Sequence, residues 1–176
     1  MEFKKLIEER RSVRKYSGIP SHEELVAILD DARMAPSWKN QQTARKYVVE
    51  SPEKLAEFKE KCLPVFNANS AAGAAIIVTT FVKDVVGFDT DGQPTNEVGN
   101  KWGAYDLGLH DAYLLLAAKN AGYDTLIMGI RDAKAIRNML EIPANEVIMS
   151  VIAIGKRDQE PALRPRKELQ ETARFF

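Results

Sequence analysis

The sequence predicts an α/β or α+β domain built on a sheet of about four strands. Three observations predict it. Helical and extended patterns alternate along the chain. Two runs rich in β-branched residues, Ala75 to Val82 and Glu146 to Gly155, read as buried strands. A long helical pattern, Lys101 to Ala121, is apolar on several faces. At 176 residues, 45% hydrophobic and 28% charged, the chain is long and apolar enough for one domain with a full core.

The elements follow in order. A first helix spans about Glu2 to Arg10, with Phe3, Leu6 and Ile7 on one face. Gly18 and Pro20 break the chain. Ser21 and Glu24 then form a capping box for a helix to about Ala35, whose inner stripe is Leu25, Ile28, Leu29 and Ala32. Pro36 stops it and opens a polar loop, Ser37 to Thr43. Lys46 to Glu50 reads as a short strand. Ser51-Pro52 starts a helix that buries Leu55, Phe58 and Cys62, and a turn or short helix follows from Pro64 to Asn67.

After the Ala75 to Val82 strand, Lys83 to Asn100 holds three Gly and three Asp with few core residues. It is the longest connection, expected to be mobile and a candidate lid. In the long helix that follows, Tyr105, Leu109, Ala112 and Leu116 trace one face while Leu107, Leu114, Leu115 and Ala118 lie on others. A helix apolar on several faces must be buried on several faces, which points to a partner subunit. Gly122 fits the position just past its end. Tyr123 to Met128 is a short strand, and Asp132 caps a helix to Leu140. The last twenty residues have little apolar periodicity and are stable only if docked.

Composition excludes several functions. Lys+Arg and Asp+Glu are both 25, so no net charge draws the protein to nucleic acid or an anionic membrane. One Cys and two scattered His cannot make a Cys/His zinc site or an internal disulfide. Cys62 reads as a small core hydrophobe, His22 as a solvent-facing residue and His110 as a satisfied packing residue. The longest apolar stretch, about twelve residues from Ala71 to Val82, is too short to span a bilayer. The charged start, MEFKKLIEERR, is unlike a secretory signal, and a cytoplasmic protein is expected. No dinucleotide fingerprint, phosphate loop or nucleophile elbow is present. If the protein is an enzyme, a cofactor must supply the hard chemistry.

Three features carry positive information. Nine of the 25 basic residues sit in two windows, Arg10, Arg11, Arg14 and Lys15, then Lys156, Arg157, Arg164, Arg166 and Lys167. Such density suits a phosphate monoester held by forked guanidiniums and the Ser12 hydroxyl; it also fits a solvated basic turn with Ser12 as a local cap. The loop Pro36-Ser37-Trp38-Lys39-Asn40-Gln41-Gln42 clusters amide and hydroxyl groups suited to a flat heterocycle, or is a polar surface loop. Leu126 to Ile130 contains Gly129, which permits close backbone approach to a ligand or a plain strand-to-helix turn.

Taken together and in order, these pieces resemble the nitroreductase family of flavin enzymes. The resemblance runs through Arg10-Arg11-Ser12-Val13-Arg14, Ala35 to Gln42, Asp106-Leu107-Gly108, Leu115 to Ala118 with Gly122, Met128-Gly129, Gly155, and Arg164-Pro165-Arg166-Lys167. It implies a three-layer fold with a mixed four-stranded sheet flanked by helices, in an FMN-binding homodimer. Residues 1–176 would form one domain, with 157–176 as a tail that wraps the partner and adds a strand to its sheet.

It also implies roles. Arg10, Arg11, Ser12 and Arg14 would hold the FMN phosphate and ribityl chain, with Arg164 and Arg166 completing the site. Pro36, Ser37, Trp38 and Asn40 would come from the other subunit and line the isoalloxazine. Asn67 would contact the polar edge of the flavin, and the backbone at Ile127, Met128 and Gly129 would approach its N5. Three positions depart from the family pattern: Trp38 stands where a small Ser is common, Thr43 replaces a usual Pro, and Ser70 stands where some members carry a Lys near flavin N1 and O2. The implied activity is ping-pong reduction of a nitroaromatic, quinone or similar small molecule by NADH or NADPH. Reductive dehalogenation or dehydrogenation on the same fold is an alternative, as is a non-catalytic flavin, anion or RNA binder.

Overall fold

The computed structural model describes residues 2–176. Its elements are α1 (Phe3–Glu9), β1 (Tyr16–Gly18), α2 (His22–Ala32), a 3-10 turn (Trp38–Asn40), β2 (Ala44–Val49), α3 (Pro52–Cys62), α4 (Val65–Ser70), β3 (Ala75–Val82), α5 (Lys101–Asn120), β4 (Asp124–Met128), α6 (Ala133–Met139), β5 (Glu146–Arg157) and α7 (Leu169–Thr172).

Local chemistry accounts for most boundaries. Ser21 Oγ accepts from the Glu24 N–H while the Glu24 carboxylate accepts from the Ser21 N–H, the expected capping box. Asp132 caps α6 through the Ala135 N–H at 2.9 Å. Ser51 makes no side-chain cap, so α3 starts on the fixed φ of Pro52. Gly122 follows α5 with φ +85°, a conformation open to glycine without penalty.

The four long strands lie in the order β2–β3–β5–β4, and β1 pairs with the C-terminal end of β5. The four-stranded core is the expected one, but its expected mixed character needs correction. Strands β3 and β4 do run the same way, joined by the α5 crossover. Strand β5 then enters between them, so every ladder between named strands is antiparallel. The parallel component is one bridge, Ser12 to Thr125. Gly155 makes room for β1: a Cβ there would lie 2.7 Å from the Gly18 carbonyl oxygen.

Strand alternation divides the core into two layers. Ile76, Val78, Val151 and Ala153 face one side, with Phe58 and Cys62 of α3 and Ile136 of α6. Ala75, Ile77, Ile152 and Ile154 face the other, with Leu25 and Ile28 of α2 and Leu114 and Ala118 of α5. The result is helix on sheet on helix. Cys62 is buried as expected, its thiol pushed up to about 11 by burial.

One segment differs from expectation. The 83–100 connection is latched rather than free: Asp84 and Asn100 exchange two hydrogen bonds at 2.7 Å across its base, and Thr95 bonds twice to the Gly87 carbonyl. The tail has one short helix, α7, and leaves Leu163, Leu169, Phe175 and Phe176 exposed.

Candidate functional site

The two basic windows converge. Arg10, Arg11, Ser12 and Arg14, from the segment after α1, meet Pro161 to Arg164 and Arg166 of the tail around a cavity of about 460 Å³. Five guanidiniums line it. Among the described residues none of the five is in a salt bridge with a carboxylate. Arg10 has its pKa lowered by burial and by the neighbouring Arg166 and Arg11 charges. Uncompensated cations in this number fit an anion of high charge.

The chain around this cavity is held from beneath. Val13 N–H donates to the Thr125 carbonyl at 3.0 Å, the Tyr16 hydroxyl to the Val13 carbonyl at 2.7 Å, and Asp158 N–H to the Lys15 carbonyl at 2.9 Å. Arg157 grips Asp124 of β4 and reaches the Glu9 carbonyl at the end of α1. The two basic windows, far apart in sequence, are thus tied to one β4–β5 frame. Arg157 and Lys156, counted in the second window, do not line the cavity: Arg157 serves the frame and Lys156 sits over the Tyr123 ring at 4.4 Å.

The Pro36 to Gln42 loop lies elsewhere in the same chain. Pro36 and Ser37 line a separate cavity of about 210 Å³ with Arg33, Thr43, Arg45, Asp106 and His110. Asp106 of α5 accepts from the Trp38 N–H at 2.9 Å, and Ser37 Oγ accepts from the Gln42 N–H at 3.1 Å. Lys39, Asn40 and Gln42 all take positive φ, a concentration of strain that only a surrounding frame can hold. Trp38 packs against Trp102 with ring centroids 4.8 Å apart, and Trp102 meets Tyr105 edge-on at 5.7 Å. The ring is therefore supported by α5, not by the arginine cavity.

The turn after β4 is the third piece. Met128 is buried, while Ile127 and Ile130 are exposed and the space beside Gly129 is open. Asn67 donates to the Ile130 carbonyl at 2.8 Å, so its amide is engaged with this turn. Arg131, which sequence reasoning passed over, donates to the Gly129 carbonyl at 2.7 Å and to the Ile148 carbonyl. No local pattern signals it: it stands alone between Ile130 and the Asp132 cap.

A buried polar cluster lies below. Lys46 faces Asp111 across 3.4 Å, and Thr79 bonds to Asp111 and Ser150. His110 is not the satisfied packing residue expected: its Nδ1 is buried without a partner. Burial, then the Lys46 charge, lowers its pKa to about 4, so the ring is neutral at neutral pH. His22 faces solvent as expected, paired with Glu50 at 2.9 Å.

Residues 7–156 match the Nitroreductase family. A protein of Archaeoglobus fulgidus, provisionally named an NADH dehydrogenase/NAD(P)H nitroreductase, is 31% identical over 164 residues, covering 88% of this chain and 84% of its own. The fold is shared with a nitroreductase-like protein of Exiguobacterium sibiricum solved in complex with FMN (TM-score 0.82, 24% identity, 100% of this chain and 98% of the other). It is shared also with an enone reductase of gut-bacterial fatty acid saturation (TM-score 0.86, 22% identity, 99% and 97%). With the family match spanning most of the chain and the relative covering nearly all of it, the chain belongs to the nitroreductase family.

Proposed function

We propose that the protein is an FMN-dependent oxidoreductase that draws on NADH or NADPH and reduces a small-molecule acceptor such as a nitroaromatic or quinone. The observation that carries this reading is the arginine cavity: five guanidiniums and a hydroxyl with no carboxylate among them, as a phosphate monoester requires. The FMN-bound relative of the same fold and the nicotinamide named for the archaeal relative support the choice of partners.

FMN, when bound, supplies hydride transfer through N5. This chain's part is binding and orientation. Arg10, Arg11, Ser12, Arg14, Arg164 and Arg166 hold the phosphate and ribityl chain. The backbone at Ile127, Met128 and Gly129 borders the ring, and Asn67 keeps that turn in place. Pro36, Ser37, Trp38 and Asn40 line the ring of the partner's site; in their own chain Pro36 and Ser37 face a different cavity from the arginines. Donor and acceptor occupy the same place in turn, which is ping-pong turnover. No side chain needs to move a proton, since the final protons can come from water in an open pocket, and the His110 ring is neutral at neutral pH.

The acting form is a homodimer of single-domain chains. Helix α5 leaves Tyr105 and Tyr113 exposed, and Tyr113 lines a groove with the exposed Phe3, an apolar surface suited to a second copy. The tail beyond Lys167 makes few contacts with its own core and suits the wrapping role. Among the described residues no helix is long and apolar enough to cross a membrane, and the balanced charge gives no footprint for nucleic acid. The lone buried cysteine accords with the cytoplasm.

The test is a titration of protein stripped of flavin with FMN and with riboflavin, which lacks the phosphate. The proposal expects FMN to bind at least tenfold more tightly and inorganic phosphate to compete. Equal affinity for the two flavins contradicts it.

A further inference from the structure

The turn after β4 is held in an unusual way. Two side chains take two successive carbonyls: Arg131 Nη1 donates to Gly129 O at 2.7 Å, and Asn67 Nδ2 donates to Ile130 O at 2.8 Å. Arg131 extends the clamp across the sheet through a second bond, to Ile148 O on β5. A trans peptide is planar, with its N–H opposite its C=O. Drawing these carbonyls to Arg131 and Asn67 therefore turns the N–H groups of Ile130 and Arg131 to the opposite side. The next donor along, Asp132 N–H, goes to the Cys62 carbonyl. The N–H groups of Ile130 and Arg131 meet no acceptor among the described residues, Ile130 is exposed, and the space beside Gly129 is open.

Arg131 is also a cation without a counter-ion. It is in no salt bridge among the described residues, and its Nε is buried with no partner. Burial lowers its pKa. A strand-to-helix turn does not need a buried guanidinium to satisfy two carbonyls, since water or an amide side chain does so without desolvating a charge.

We propose that Arg131 is a positioning residue for the flavin ring, which with Asn67 fixes the Gly129–Ile130 backbone so that its free N–H groups face the ring, and which places an uncompensated positive charge behind that edge. The role rests on the FMN reading above. The Arg131 charge would stand on the N5 side of the ring, whereas Ser70, whose hydroxyl donates to the Phe66 carbonyl at 2.9 Å, leaves the N1 and O2 side without one. A positive charge favours the reduced, more anionic flavin over the oxidised one, so it raises the midpoint potential.

The experiment is the midpoint potential of bound FMN in wild type, Arg131→Met and Arg131→Lys, measured on the FMN-loaded protein. For Arg131→Met the proposal expects the ratio of affinities for reduced and oxidised flavin to fall at least tenfold, which is about 30 mV for a two-electron couple. A smaller shift overturns it, whatever happens to thermal stability. If Arg131→Met does not fold, Arg131→Lys decides. It keeps the charge but lacks the planar fork that reaches both carbonyls, so flavin reduction by NADH or NADPH should slow at least tenfold while the ratio of affinities for reduced and oxidised flavin holds within threefold. An unchanged rate overturns the positioning role. Failure of the wild type to bind FMN is a separate result, and it overturns the function itself.

Discussion

Arg157 holds Asp124 with two parallel bonds, Nε to Oδ2 at 2.7 Å and Nη2 to Oδ1 at 2.8 Å, at a carboxylate only 3% exposed. Lys119 of α5 adds a second cation at 3.6 Å. Because Arg157 also reaches Glu9, this pair ties the end of α1, strand β4 and the exit of β5 at the point from which both walls of the arginine cavity spring. Asp124→Ala strands two partly buried cations. It should destabilise the fold by about 3 kcal/mol, at the low end for a broken buried pair because Arg157 keeps Glu160. Thermal or urea unfolding checks this, and a loss under about 1 kcal/mol would show the pair to be peripheral.

The arginine cavity makes opposite demands with and without an anion. Burial and then the Arg166 charge lower the Arg10 pKa, so the two guanidiniums repel in the absence of a ligand. Arg166→Ala should therefore leave the flavin-free protein as stable as wild type or slightly more so. It should weaken FMN binding by about 1.5–3 kcal/mol, the range for hydrogen bonds to charged groups. Arg14→Ala should weaken binding similarly. Calorimetry on stripped and loaded protein separates the two effects.

The histidines carry pH dependence of stability rather than catalysis. His110 in the folded chain titrates near 4, below its ordinary value of 6.5. The unfolded chain therefore binds the extra proton first, and stability falls as pH drops from about 6.5 through 4. The loss should reach no more than ~2 kcal/mol once solvent screening is discounted, and His110→Gln should flatten it. His22 has the opposite sign: Glu50 raises its pKa, so its small contribution is present at low pH and fades as pH rises through the raised value. The double change His22→Ala with His110→Gln should leave kcat within about tenfold at full flavin occupancy, since general acid–base catalysis would be worth 10²–10⁴-fold, roughly, if a histidine supplied it.

Much of this architecture was legible in the chain because its signals are local. The Ser21/Glu24 box, the Pro52 start and the Asp132 cap each act within one helical turn. The β-branched runs announced β3 and β5, and the basic windows announced the cavity. What escaped is non-local. Strand β1 has three residues and exists only because β5 and Gly155 receive it. The order of β5 between β3 and β4 depends on insertion after the crossover, which no periodicity encodes. Asp124 with Arg157, and Arg131 with Gly129 and Ile148, are pairings whose partners lie on other strands or in a turn. The Trp38 to Trp102 contact likewise joins a loop to a helix more than sixty residues later.

The tail offers a test of assembly. Leu169, Phe175 and Phe176 stand exposed, so removing Lys167 to Phe176 takes little from the chain's own core. The truncated protein should retain its secondary structure but dissociate in light scattering, and lose flavin with the partner's loop. A truncated chain that stays dimeric with FMN bound would show that the tail has no wrapping role.

The most direct measurement of the central claim is the visible spectrum of the FMN-loaded protein on anaerobic addition of NADH or NADPH. The account predicts about one FMN per chain, bleaching of the flavin band by one of the two nicotinamides, and return of the band when a quinone or nitroaromatic is added. A flavin band that neither nicotinamide bleaches, at full occupancy, would contradict it.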